Sequence, residues 1–238
     1  MPALPTASLG RVLERVNGIW SPQAAPHHLV FGTSGAGKST LIKALQGLAG
    51  AERVLLVEPK RTSDPVYEGP TGDPHRWGRP VSEITPRFGF EGDRGGGPAG
   101  LWYRLQGSPD RADTARRFGT ALDIVANEGC TVLVLDDVKE VCRQLRLAEP
   151  VESILNLGRS AGICAVLSTT ETSYVAGRSQ GSMIWVGYTG GSLGAAKAGA
   201  ELLGWRGRDR QDTCAIMARY SWIYQDHEAG AAGPVLVT

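Results

Sequence analysis

Nine consecutive residues carry the clearest chemistry in this chain: Gly32, Thr33, Ser34, Gly35, Ala36, Gly37, Lys38, Ser39 and Thr40. They read G-x-x-x-x-G-K-[ST], the spacing of a Walker A phosphate-binding loop. Glycine lets a backbone close around phosphate oxygens that a Cβ would hold off. The exposed amides, with the N-terminus of a following helix, then attract an anion. In that chemistry Lys38 reaches the β- and γ-phosphates of ATP and the Ser39 hydroxyl ligates Mg²⁺, while Thr40 continues into the helix. The alternative is a glycine-rich strand-to-helix turn that binds nothing. The context speaks against it. Leu29-Val30-Phe31 suits a buried strand, and Leu41 to Leu48 places apolar residues at helical spacing.

A second group lies about a hundred residues on. Leu133-Val134-Leu135-Asp136-Asp137 reads as a buried strand that delivers two carboxylates at its C-terminal edge, where open α/β sheets bind ligands. A phosphate loop needs an acid for its cation, so Asp136 is the candidate Mg²⁺ partner, through water or Ser39. Asp137 is the candidate to polarise an attacking water. Either acid could instead cap the next helix.

Strands must position these groups, and apolar runs alternate with helical patterns along the chain. Strands are expected at 29–31, 54–57, 131–135, 163–167, 183–186, 213–218 and 221–225. Helices are expected at 41–48, 112–127, 138–147, 150–160 and 195–203. Such alternation implies a mainly parallel sheet covered on both faces. Residues 1–7 read as a tail. Residues 8–20 read as an amphipathic helix capped by Ser8, packed on its own domain or strapped to a neighbouring subunit. The division expected is residues 1–27 as tail and helix, then 28–238 as one domain with a Gly/Pro-rich insert at about 60–109. Within that insert Leu101 to Leu105 alternates like a short strand.

Composition bounds the rest. The chain has 238 residues, 42% of them hydrophobic, enough for one substantial core. A net charge of +1 gives no global signal for nucleic acid, so any DNA contact must come from local patches or from assembly. Arg206, Arg208 and Arg210 form one patch, and Arg76, Arg79, Arg87 and Arg94 are scattered through the insert; solvated surface is the competing reading for the first. Cys130, Cys142, Cys164 and Cys214 contain no C-x-x-C pair and read as free thiols in a reducing cytoplasm. His27 and His28 precede the first expected strand without other ligands at metal spacing. No apolar stretch approaches the length of a membrane span.

Several segments together resemble one family. A complete extra strand lies between the two motifs, as in the additional-strand P-loop ATPases, where it sits beside the strand carrying the acids. Val57-Glu58-Pro59-Lys60-Arg61 resembles the D-P-K-R turn of the FtsK/HerA translocases. Leu157-Gly158-Arg159-Ser160-Ala161-Gly162-Ile163, running into Ser168-Thr169-Thr170, is similar to that family's G-R-a-a-G-I-h and l-a-T-Q block. Ala200-Glu201-Leu202-Leu203-Gly204 resembles its a-e-x-L-L-G segment. The resemblance spans about residues 29–218 and implies a RecA-like P-loop NTPase fold.

It also implies roles. Arg159 becomes a candidate arginine finger reaching the next subunit's nucleotide, a surface or helix-end arginine being the alternative. Thr170 stands at the family's sensor Gln, with adjacent Glu171 as another possible polar contact. Asp137 stands where the family usually has Glu, which puts turnover in more doubt than binding. The build resembles the small genome-packaging ATPases of tectivirus-like viruses. That implies an ATP-driven double-stranded DNA translocase loading a preformed capsid from the host cytoplasm. It would act as a homo-oligomeric ring (hexamer, with pentamer as the alternative) docked on portal or vertex proteins. Two further readings stay open: a plasmid or integrative-element DNA transfer motor, and a slow nucleotide-gated assembly or scaffold protein.

Overall fold

The computed structural model describes residues 6–12, 27–47, 53–61, 67, 101–129, 131–171, 183–188, 197, 222–226 and 235–237. Among them nine strands form one sheet: β1 (Thr6–Ala7), β2 (His27–Phe31), β3 (Arg53–Glu58), β4 (Leu101–Gln106), β5 (Val132–Leu135), β6 (Cys164–Thr169), β7 (Met183–Tyr188), β8 (Trp222–Asp226) and β9 (Val235–Val237). The spatial order is β1-β9-β8-β7-β2-β6-β5-β3-β4. From β4 across to β7 all neighbours are parallel. Only β8 runs against its neighbours, pairing antiparallel with β7 and β9. The fold is α/β with a mainly parallel sheet, as expected.

The parallel strands are buried on both faces, so they read as continuous apolar runs rather than alternating ones. Their side chains nonetheless divide by pleat. Leu29, Leu55, Val57, Leu133, Leu135, Ala165 and Leu167 enter one core. Val30, Val54, Leu56, Val132, Val134, Cys164 and Val166 enter the other. Helix α1 (Lys38–Gly47) covers the second face with Leu41 and Ile42. Helices α2 (Arg111–Glu128) and α3 (Ala148–Leu157) cover the first with Phe118, Leu122, Val125, Val151 and Ile154. Asp110 caps α2, its carboxylate accepting from the Ala112 amide at 2.8 Å. Such a cap is worth about 1 kcal/mol.

Several expectations need correction. Residues 6 and 7, read as tail, pair in parallel with β9, a strand that was not foreseen. Residues 9–12 are helical, and Val12 is buried in the second core, so this turn packs on its own domain. The expected helix at 138–147 is helical over 138–144 only, the stretch Glu140–Gln144 being a π-helical segment. His27 and His28 do not precede the strand expected at 29–31 but begin it, as the first residues of β2, both fully buried. The expected helix 195–203, apart from Lys197, the strand 213–218 and the arginines at 76, 79, 87, 94, 206, 208 and 210 lie outside the described residues, as does most of the insert. Cys142 and Cys164 are buried free thiols; Cys130 and Cys214 are outside the described residues. Among the described residues no helix is long and apolar enough to cross a membrane.

Candidate active site

The carboxyl edges of β2, β6, β5 and β3 meet at one cleft of about 250 Å³. Strand β2 ends at Phe31, and the chain turns into the glycine loop. The turn is anchored where the Gly32 amide donates to the Thr169 carbonyl at 3.2 Å, next to the end of β6. Gly35 and Gly37 have φ of 74° and 93°, which a side chain would strain. A Cβ built on Gly35 meets no protein atom within 4 Å; it would stand in open space at the cleft. Helix α1 begins at Lys38, so its N-terminal amides face the same space. The Lys38 ammonium donates to the carbonyls of Gly32 and Thr33, both at 2.9 Å, which folds it across the loop.

The two acids arrive from β5. The Asp136 amide still pairs with β3, donating to the Val57 carbonyl at 3.0 Å. The chain then breaks from the sheet through Asp137, whose φ of 57° is left-handed. Aspartate tolerates that region better than most residues. The Asp137 carbonyl accepts from the amides of Glu140 at 2.9 Å and Val141 at 3.3 Å. It is therefore the backbone of Asp137 that caps the helical segment. Its side chain remains at the cleft, with Oδ1 buried and without a hydrogen-bond partner among the described residues.

Ser168, 1% exposed near the end of β6, ties both acids down. Its hydroxyl donates to Asp136 Oδ1 at 2.5 Å and accepts the Asp137 amide at 2.9 Å. Asp136 Oδ2 instead faces the Lys60 ammonium at 3.6 Å. Neither Ser168 nor Lys60 had been singled out as a site residue. The available signals were modest. Ser168 is the first polar residue after an apolar strand, and Lys60 is a cation just past the end of a central one.

The cleft therefore gathers Ser34, Gly35, Gly37, Lys38, Ser39 and Thr40 with Asp136, Asp137 and Thr170, in addition to Lys60 and Ser168. Gly32, Thr33 and Ala36 complete the loop behind them, the Ala36 amide closing a turn onto the Thr33 carbonyl at 3.2 Å. Thr170 lies exposed at the rim. Glu171 does not enter. Its carboxylate pairs with Lys139, and its backbone exchanges hydrogen bonds with Thr169 Oγ1 at 2.7 and 3.0 Å.

Arg159 is not among these groups. It sits in a 3₁₀ turn, Gly158–Ala161, at the amino edge of β6. Five residue steps of strand, roughly 16 Å, separate that edge from the cleft. The turn explains the glycine spacing around it. Gly158 is buried, and a Cβ there would come 3.2 Å from that of Ile163. Gly162 takes the left-handed C-cap conformation at φ 72°. On the same edge, burial and then the nearby Arg159 charge lower the pKa of His27 to about 4. Burial and His27 lower that of His28 to about 3. The His27 ring accepts the Ala165 amide through Nδ1 at 3.0 Å, so this histidine is a neutral structural acceptor.

Chemically, the cleft offers a ring of amides, two ammoniums and two carboxylates. The Ser39 hydroxyl and the Asp136 carboxylate are hard oxygen donors suited to Mg²⁺. Asp136 Oδ2, which makes no hydrogen bond among the described residues, fits that use.

No family model matches the chain, and no curated protein does. Solved structures do. The genome packaging NTPase B204 of Sulfolobus turreted icosahedral virus 2 superposes with a TM-score of 0.58 at 12% identity, over 90% of this chain and 96% of that one. The pCW3 conjugation coupling protein TcpA, with ATPγS, gives 0.55 at 12% identity, over 90% of this chain and 60% of that one. The cytoplasmic domain of the type VII secretion ATPase EccC of Thermomonospora curvata gives 0.53 at 16% identity, over 84% and 24%. The chain thus has the fold of these P-loop ATPases.

Proposed function

We propose that this chain is an ATP-driven double-stranded DNA translocase that loads a viral genome into a preformed capsid. The observation that carries the reading is the single cleft into which the Gly32–Thr40 loop, Asp136 and Asp137 converge. The strand order supports it too, because β6 lies between the loop strand β2 and the acid strand β5, with β3 beside β5. The likeness in fold to a genome packaging NTPase, over nearly the whole of both chains, favours packaging.

In this reading the loop amides and Lys38 hold the triphosphate of ATP. Ser39 and Asp136 would hold Mg²⁺, which neutralises phosphate charge when bound. Asp137 orients the attacking water and takes its proton. Thr170 at the rim can donate its hydroxyl toward the terminal phosphate. Arg159 serves a neighbouring copy, since it lies at the opposite edge from its own cleft. A ring follows, a hexamer by preference over a pentamer, with duplex DNA in its channel and a portal or vertex protein beneath it in the host cytoplasm. The likeness to TcpA keeps a plasmid DNA transfer motor as a second reading.

The test is Mg-ATP hydrolysis with and without duplex DNA, for wild type and Lys38→Ala. Wild type should turn over ATP faster with DNA, and the variant should lose hydrolysis by at least about a hundredfold. Turnover indifferent to DNA would refute the motor and leave a slow nucleotide-gated scaffold.

A further inference from the structure

The cleft contains a second ammonium with no part in the scheme above. Lys60 follows β3 by two residues, and its Nζ stands 3.6 Å from Asp136 Oδ2. That is too long for a good hydrogen bond. The lysine is 50% exposed, so the pair is weakly held and open to competition.

The backbone beneath it is, by contrast, firmly placed. The Gly107 amide donates to the Glu58 carbonyl at 2.9 Å, and Gln106 Nε2 donates to the Arg61 carbonyl at 2.9 Å. Arg61 in turn donates to the Pro109 carbonyl at 3.0 Å. A Cβ at Gly107 would come 2.3 Å from the Pro59 carbonyl oxygen, so the turn and the end of β4 are in close contact. A rigid base carrying a loosely paired cation at a phosphate site is what a ligand-sensing group requires.

We propose that Lys60 senses the terminal phosphate: it exchanges Asp136 for the γ-phosphate and so separates triphosphate from diphosphate. The proposal rests on the nucleotide reading of the cleft. Once a divalent cation satisfies Asp136, the lysine loses that carboxylate and is released to pair with phosphate oxygens in the same cleft. Lys38 is already engaged by the loop carbonyls of Gly32 and Thr33, so a second cation at the cleft adds a separate contact to the phosphate chain. Lys60 enters the cleft from the turn after β3, a different element from the loop that carries Lys38.

The experiment is equilibrium titration of the full chain with fluorescent ATPγS and fluorescent ADP in Mg²⁺. It compares wild type, Lys60→Met, Lys60→Arg and Lys38→Ala. Lys60→Met should weaken triphosphate binding about tenfold, with diphosphate affinity within about twofold, as expected for one charged hydrogen bond. Lys60→Arg should recover most of the difference. The ratio guards against misfolding, because an inactive fraction lowers both signals alike. Equal losses for both nucleotides, or none for either, would overturn the role of Lys60 while the cleft reading stands. Wild type that binds neither nucleotide, or Lys38→Ala that binds both like wild type, would overturn the cleft reading and this proposal with it.

Discussion

Ser168→Ala removes one oxygen and tests how the acids of the cleft are held. The hydroxyl makes two hydrogen bonds, to Asp136 Oδ1 at 2.5 Å and from the Asp137 amide at 2.9 Å. A hydrogen bond to a charged carboxylate contributes about 1.5–3 kcal/mol, and an abandoned amide costs about 1–3 kcal/mol where water cannot replace the partner. Asp137 is half-buried, so water recovers part of the second amount. The expected loss is about 2–4 kcal/mol, which lowers Tm by roughly 5–15 °C in a chain of this size. The same substitution releases one oxygen of Asp136 to rotate. Outer partners of metal ligands typically matter by about 10–100-fold in metal affinity, so the Mg²⁺ concentration for half-maximal ATP binding should rise by about that factor. Urea unfolding measures the first effect and nucleotide titration at varied Mg²⁺ the second. Ser160→Ala is the control, since its hydroxyl reaches only the exposed carbonyl of Leu157 at 2.7 Å. It should stay within about 0.5 kcal/mol of wild type. A Ser168→Ala protein as stable as this control, with unchanged Mg²⁺ dependence, would refute the bridging role.

Two further outcomes follow from the buried polar groups. His27 and His28 have folded pKa values near 4 and 3, below their ordinary 6.5. Both are neutral in folded and unfolded chains above pH 6.5, so their contribution is flat there. As pH falls from 6.5 toward 4 only the unfolded chain takes up protons, and stability is lost at up to about 1.4 kcal/mol per pH unit for each histidine. Urea midpoints at pH 7.5, 6.0 and 5.0 should show this slope, and His28→Leu should roughly halve it. Arg104 and Glu58 form a buried ion pair between β4 and β3 at 3.2 Å. Arg104→Met should destabilise by about 3–5 kcal/mol, because it removes the cationic partner of a buried carboxylate, whereas adding Glu58→Leu should restore most of the loss. Equal unfolding free energies for the single and double variants would contradict that account.

Much of this protein was legible without coordinates, for local reasons. The glycine loop after β2 is encoded by backbone freedom at Gly35 and Gly37, a property of single residues. The central strands announce themselves because burial on both faces demands unbroken apolar runs such as Val132–Leu135. Helix α2 declared its period, whereas its Asp110 cap emerged with the structure. Elsewhere local pattern misled. Asp137 takes a left-handed conformation, and a π-helical segment follows at Glu140–Gln144 where apolar spacing suggested an ordinary helix. The histidines looked like a polar lead-in, yet burial between strands holds both neutral, and His27 accepts the Ala165 amide of β6. What only the tertiary structure decided was proximity. Lys60, Ser168 and Asp136 are far apart along the chain, and strand order and register alone bring them together at one carboxyl edge. The same register sends Arg159 to the opposite edge, away from its own cleft. Residue type fixes what a side chain can do, but its partners depend on which strands pair, and those contacts are non-local.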